Sequence, residues 1–395
     1  MKKASPRKGG KRRRTVPSNW DPSGSQSQPQ TVGQEPRIPT STWDVFNKFA
    51  APPRNAISSQ PRLATEPPPL DTGTVTLLKE YQDGVGTWVG LFDGAQHLTH
   101  TIVKWALESP LLLNAICAVT ARQMSMAGRG EMWKSTAAHY YGESLHHLIH
   151  ILDNPSYCSG DTLAATVLLS SYELFTSPGL DHHRHDVAMA LVHECPTMIP
   201  SEDWGVSWAD QETAEDSLGN RMIWIVAKVI AHTFREVGGV ARQPLRRDRT
   251  KLINELNAWR EVLPTQSAGV SFGGSSQEGV LKRFFAVPCM AAAMCMYHLA
   301  HLLLLTEGCN PSLANEEIPQ AEIDHHSQSV ASIAFSPISD ASLVQTVQPL
   351  YYSAKHISTL TEKFKIWTLL DRIESQLGFH TGHRIKHLQE QITVA

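Results

Sequence analysis

The sequence predicts an all-α fold: one large multi-helix body behind a disordered N-terminal tail that is basic and Pro/Ser-rich. Three observations carry this expectation. From Thr74 onward, apolar residues recur at three- and four-residue spacing almost to the end of the chain. Proline and glycine fall between those stripes, where helices start and stop. No alternating run of five or more residues reads as a strand, and no fixed-period repeat appears.

The tail comes first. Residues 1–72 are rich in Pro, Ser, Gln, Gly and charge and poor in apolar side chains, so they cannot bury enough surface to offset their chain entropy. Trp43, Val45 and Phe46 form a small apolar island, read as a short docking helix, and Pro67, Pro68 and Pro69 close the linker. The first sixteen residues hold Lys2, Lys3, Arg7, Lys8, Lys11, Arg12, Arg13 and Arg14 and no acid. Taking those eight from the chain's 35 leaves 27 basic residues against 38 acidic ones, a balance of −11 behind the tail. A short positive segment on an acidic body fits import into the nucleus, or weak nonspecific contact with nucleic-acid phosphates. A flexible arm of this kind adds affinity but reads base sequence poorly. The basic start, followed by polar and proline-rich sequence, predicts no secretory signal.

The body, residues 73–395, is read stripe by stripe. Ser109 is an N-cap candidate before Pro110, and Leu112, Ala115, Ile116 and Val119 share one face. Tyr141, Leu145, Leu148, Ile149 and Leu152 make a second face, stopped by Pro155. Leu163, Ala164, Val167, Leu168, Ser171, Leu174 and Phe175 make a third, ended at Pro178-Gly179. Met222, Ile225, Val226, Val229 and Ile230 form another, closed by Gly238-Gly239. Leu252, Leu256, Trp259 and Leu263 follow, ending at Pro264. Residues 265–280 read as a Ser/Gly-rich loop. Phe284 to Leu305 is almost wholly apolar and about long enough to cross a bilayer. Pro288, His298 and His301 interrupt it and no basic cluster flanks it, so it is read as a buried central helix, with no membrane partner. A polar insert to about residue 340 and two or three closing helices through Leu388 complete the chain.

Candidate chemistry is thin. Gly84, Gly86 and Gly90 have GxGxxxG spacing with no strand before them, so they read as a turn between helices rather than a phosphate loop. No GxxxxGK[ST] or GxSxG motif occurs. Among nineteen histidines, Glu143 with His146 and His150 lie one helical turn apart, while a di-iron bundle would need a second ExxH. His182, His183 and His185 with Asp186, and His380, His383 and His387, could ligate zinc or iron, but neither group has the HExxH or two-His-one-carboxylate layout. They are read as surface or core histidines, and the expectation is no catalytic residue, no metal and no cofactor. The six cysteines are scattered with no CxxC pair, which reads as reduced core thiols.

One set of residues points to a family. Tyr81-Gln82-Asp83-Gly84-Val85-Gly86-Thr87-Trp88, Leu91-Phe92-Asp93 and Ser109-Pro110-Leu111-Leu112-Leu113-Asn114-Ala115-Ile116 resemble the start of the fungal-specific transcription factor domain. Ala118 to Arg122, Tyr140-Tyr141 with Leu145 and Leu148, Asp161 with Leu163-Ala164-Ala165, and Tyr172-Glu173-Leu174 continue the likeness. His185, Ala188 and Leu191 extend it, and Gln348-Pro349-Leu350-Tyr351 with the Leu370–Gly378 segment resemble the family's closing helices. The likeness spans roughly 75–391. It implies an all-helical regulatory domain of a nuclear transcription factor, partnered by other transcription factors or co-regulators and commonly dimeric, although no heptad seam appears here. The resemblance also implies a preceding six-cysteine zinc cluster, yet no cysteine precedes Cys117. The expectation is a member that has lost that module, or one whose upstream exon is missing. Two other classes stay open: a helical metalloenzyme using the His/Glu clusters, and a non-nuclear scaffold built on the same domain.

Overall fold

The first described helix starts at Thr72. Asp71 caps the helix, its Oδ1 accepting from the Thr74 N–H at 3.0 Å and its Oδ2 from the Thr74 hydroxyl at 2.5 Å. The computed structural model describes residues 70–394 except 129, 154–157, 177–186, 207, 209–212, 235, 238–239, 242–245, 274–280 and 307–319. The basic residues Lys2 to Arg14, the Trp43 island, His182, His183, His185 and Asp186 therefore lie outside the described residues. All those described fall within one unit, Pro39–Ala395.

The first half runs α1 (Thr72–Asp83), α2 (Val85–Val89), a π turn (His97–Thr101), α3 (Ile102–Ala106), α4 (Pro110–Met126), α5 (Met132–Leu152) and α6 (Gly160–Thr176). Helix α4 is its axis, packed by α1, α3, α5 and α6. Pro110 occupies the first turn as expected, but Ser109 makes no side-chain cap. Its hydroxyl is drawn instead to Asp161 Oδ2 at 2.5 Å, tying the start of α4 to that of α6. Two predicted faces hold only in part: Tyr141, Leu145, Leu148, Ala164, Leu168 and Phe175 pack inward, and the rest do not. On α5 the buried residues are Ala137 and Ser144, while Ile149 and Leu152 are exposed. On α6 the inward face is Ala164, Ala165, Leu168, Leu169, Tyr172 and Phe175, leaving Leu163 and Val167 outside. Both helices are apolar on more than one side, so the stripe alone does not fix which side faces α4.

The second half runs α7 (Val187–His193), a 3-10 turn (Ser201–Trp204), α8 (Glu215–Thr233), β1 (Glu236–Val237), β2 (Val240–Ala241), α9 (Arg246–Val262), β3 (Val270–Phe272), β4 (Lys282–Phe284) and α10 (Pro288–Thr306). It closes with α11 (Gln320–Ala334), α12 (Asp340–Gln345), α13 (Val347–His356), α14 (Leu360–Arg372), a π turn (Ile373–Leu377) and α15 (Gly382–Val394). Here the stripes hold. Met222, Ile225, Val226, Val229 and Ile230 are all fully buried, as are Leu256 and Trp259. Each such side chain contributes about 1.5–3 kcal/mol by leaving water.

The four strands are two- and three-residue antiparallel pairs, β1 with β2 and β3 with β4. The second pair lies partly in the stretch read as loop; three residues are too short to show alternation. Helix α8 ends at Thr233 rather than at the glycine pair, and α10 starts at Pro288, after Phe284 has been used in β4. The polar insert is shorter than expected because α11 begins at Gln320.

Helix α10 is long and apolar enough to span a bilayer, yet it is buried by α8, α9, α11, α12 and α13. Two cores result, one around α10 and one around α4, and Leu91, Leu377 and Phe379 pack against both. The joint is tight. Gln123 donates to the Leu377 carbonyl at 2.7 Å, and Gly378, at φ +72°, would bring a Cβ to 2.5 Å from the Gln123 carbonyl.

Trp259 is fully buried and its indole N–H donates to the Leu218 carbonyl at 2.9 Å. Trp259→Ala should lower unfolding stability by about 3–5 kcal/mol, read from urea denaturation, whereas Leu360→Ala at an exposed position should change it little.

Candidate functional site

The histidine groups separate on folding. Glu143, His146 and His150 project from the solvent face of α5. His387 goes to Tyr351, its Nδ1 hydrogen-bonded to the Tyr351 hydroxyl. His380 and His383 do meet, with ring centres 5.5 Å apart. His380 Nδ1 is 3.0 Å from Glu374 Oε1, and Glu374 Oε2 accepts from the Thr381 and Gly382 N–H groups at 2.8 and 2.6 Å. Both carboxylate oxygens thus serve to hold the turn into α15. Burial, then Arg384 and His380, push the His383 imidazole down to about 4. Among the described residues, no group of three or more His, Cys, Asp or Glu stands in position to hold a metal ion.

A different histidine group is buried between α10 and α11. His298 Nδ1 lies 2.9 Å from His326 Nδ1, and the His301 and His326 rings stack 4.5 Å apart. The first contact needs one N–H and one lone pair, so the two rings cannot both be charged. The outer Nε2 atoms of His298 and His301 are buried without a partner among the described residues. Burial is the main reason that His301 falls to about 4, His326 to about 3 and His298 well below its ordinary value, with the neighbouring histidines adding to it. The sequence marked His298 and His301 only as interruptions of an apolar run. Their i, i+3 spacing, which sets them on one face, was the available signal.

Arg384 was missed altogether. It is 4% exposed, donates to Gln348 Oε1 from Nε at 3.0 Å and to the Leu191 carbonyl at 3.0 Å, and stacks 3.9 Å over the Tyr351 ring. It ties α7, α13 and α15 together. The large aromatics act as their polar tips require. Tyr141 donates to Glu173 at 2.5 Å, Tyr140 shares a 3.0 Å hydrogen bond with Thr74, and Trp224 donates to the Ser201 carbonyl at 3.0 Å. Gly84 and Gly90 cap α2, and Gly86 lies inside it because a Cβ there would sit 2.7 Å from the Tyr81 carbonyl. Cys117, Cys195, Cys289 and Cys295 are buried and Cys158 is exposed; Cys309 lies outside the described residues.

A cleft of about 830 Å³ opens where α2 and the following loop meet the N-terminal ends of α8, α10 and α12. Asp83, Asp93, Glu215, Asp216 and Asp340 line it, with no Lys or Arg. Cys289 lines it too, its thiol pushed up to about 11 by burial, then by Asp216 and Glu215. The cleft repels anions, and its carboxylates favour the helix ends they sit on.

Folding keeps the buried histidines neutral, with a consequence for acid stability. The unfolded chain takes up protons as pH falls through the ordinary histidine value of 6.5, whereas folded His301 and His326 do so only near 4 and 3. Their neutral burial therefore costs nothing above about pH 7 and costs progressively more as pH falls through the window between. Unfolding midpoints in urea should drop from about pH 7.5 to about pH 5, and the drop should shrink in His301→Leu; equal drops in both would contradict this assignment.

Comparison with known proteins then places the first half. The family model for the fungal specific transcription factor domain matches residues 76–191. The transcription activator AMTR1 of Alternaria alternata is 25% identical over 267 residues, covering 58% of this chain and 34% of that protein. The chain thus spans about a third of the relative's length. No solved structure matches. The family match ends at α7, short of the 391 that the resemblance reached, and takes in α4 with the helices packed on it. The likeness to the fungal-specific transcription factor domain thus covers residues 76–191 of this chain.

Proposed function

We propose that this chain is a non-enzymatic fungal transcriptional regulator, working in the nucleus through its helical body. The family match over residues 76–191 carries the reading, and the activator named among its relatives agrees with it. The residues behind the family likeness are spent on packing. Leu112, Ala115 and Ile116 are fully buried, Tyr172 packs inside and Gly86 fits against Tyr81. A surface so built offers shape to protein partners, here other transcription factors or co-regulators, and a dimer of the chain is one such assembly.

The basic segment from Lys2 to Arg14 supplies the import signal and weak phosphate contact. Replacing Lys11, Arg12, Arg13 and Arg14 with Gln should move a fluorescently tagged copy from nucleus to cytoplasm. A copy that is cytoplasmic both before and after the change contradicts the nuclear reading and favours a scaffold outside the nucleus. The regulatory reading has its own test. The full chain fused to a heterologous DNA-binding domain should change expression of a reporter carrying that domain's site, and an unchanged reporter would count against it.

A further inference from the structure

Strand β4 brings Arg283 to a cavity of about 310 Å³ beside α11 and α14, walled on its apolar side by Leu281, Phe335, Ile357 and Ile366. The main chain there is pinned, because the Arg283 N–H donates to Ser336 Oγ at 2.7 Å. The side chain is not. Arg283 is half-buried, its Nε is shut away from water without a hydrogen-bond partner, and its guanidinium makes no ion pair among the described residues. A guanidinium stays charged in any protein environment, so a partly desolvated one is ordinarily matched by a carboxylate.

The surrounding charges have the wrong sign to match it. After burial, the proximity of Arg260 is what most depresses the Arg283 pKa. Lys365 and His325 line the same cavity. Glu362 is the single carboxylate in the lining, and its Oε2 already accepts the Thr359 hydroxyl at 2.6 Å. Neutral donors, Gln328 and Ser329, complete the polar side. The cavity thus has one apolar wall and one cationic, donor-rich wall, on a body whose formal charge outside the basic tail is negative.

We propose that this cavity binds a small organic carboxylate with an apolar body, the carboxylate paired with the Arg283 guanidinium and the body against Phe335, Ile357 and Ile366. The planar fork of arginine fits a carboxylate through two parallel hydrogen bonds, and the volume is at the lower end of small-ligand sites. The apolar wall selects an organic acid over a hydrated inorganic anion, whose desolvation that wall would not offset. The site goes beyond the regulatory reading and stands on the chain's own side chains.

Calorimetric titration and thermal unfolding of the intact chain test it, with octanoate, uncharged octanamide and inorganic phosphate at matched ionic strength. Octanoate should bind and raise the melting temperature, and the other two should not. Arg283→Met should weaken octanoate binding at least about tenfold. Unliganded, it should melt at or above the wild type, since it removes an unpaired buried charge. Lys365→Gln, at an exposed position, should weaken binding several-fold and covers the case in which Arg283→Met does not fold. No octanoate binding, equal binding by wild type and both variants, or phosphate binding as tightly as octanoate would each overturn the proposal. The titration reads the site alone, so it can fail while the reporter assay succeeds, or the reverse.

Discussion

A helix without a polar face has to be wrapped, and the second half of this protein is organised by that requirement. Sixteen of the nineteen residues of α10 are buried. Such a helix gains little from water on any side, so every neighbour is recruited to cover it: α8 and α11 along most of its length, α9, α12 and α13 over the rest. One residue joins α12 to α13, whereas the stretch between α8 and α10 holds α9 and both short strand pairs. The strands follow from the wrapping; they do not create it.

The same requirement explains the chemistry of the interior. A wholly apolar helix would carry no information about which face meets which neighbour. His298 and His301 supply it, since among the described residues only α11 presents imidazoles with which they interact. Their neutral burial costs stability in acid, and in return the α10–α11 contact has a register that pairs His298 Nδ1 with His326 Nδ1 and stacks His301 on His326. The first half solves the same problem with smaller means. Ser144 inside α5 donates to the Leu111 carbonyl of α4 at 3.1 Å, and Ser109 reaches Asp161 across to α6. Between the halves, Gln123 with Leu377, and Asn220 with the Phe92 carbonyl at 3.0 Å, are polar stitches laid over an apolar seam.

How much of this was legible follows from which residues have a choice. Met222 to Ile230 lie on a helix with one apolar side, so spacing alone fixed their burial. Helices α5 and α6 are apolar on more sides than they bury, and there spacing named the wrong residues, Ile149, Leu152, Leu163 and Val167, while α4 decided. Ser109 reads as a cap from its place before Pro110, and only the tertiary neighbour Asp161 diverts it. A half-buried phenol or indole needs a hydrogen-bond partner, as Tyr140, Tyr141 and Trp224 find, but the partner's identity is invisible in the sequence. Arg384 and Arg283 were not legible at all. A lone arginine in a helical or strand segment looks like a solvated one until its surroundings are known.

Those two arginines are the sharpest contrast in the molecule. Arg384 is buried and Arg283 half-buried, and both have their pKa depressed chiefly by burial. Arg384 is answered on every side: an amide oxygen, a main-chain carbonyl, a tyrosine face, and the favourable charge of Glu194 nearby. It behaves as a structural bolt, and its neighbours are arranged to make it one. Arg283 sits on a three-residue strand that is well anchored through its main chain, feels the charge of another arginine, and makes no ion pair among the described residues. A fold able to satisfy one buried arginine so fully had the means to satisfy the other, for instance by a carboxylate in place of Gln328 or Ser329. Leaving it unanswered at the mouth of a cavity is the arrangement expected of a charge kept for a ligand, since any internal partner would compete with that ligand.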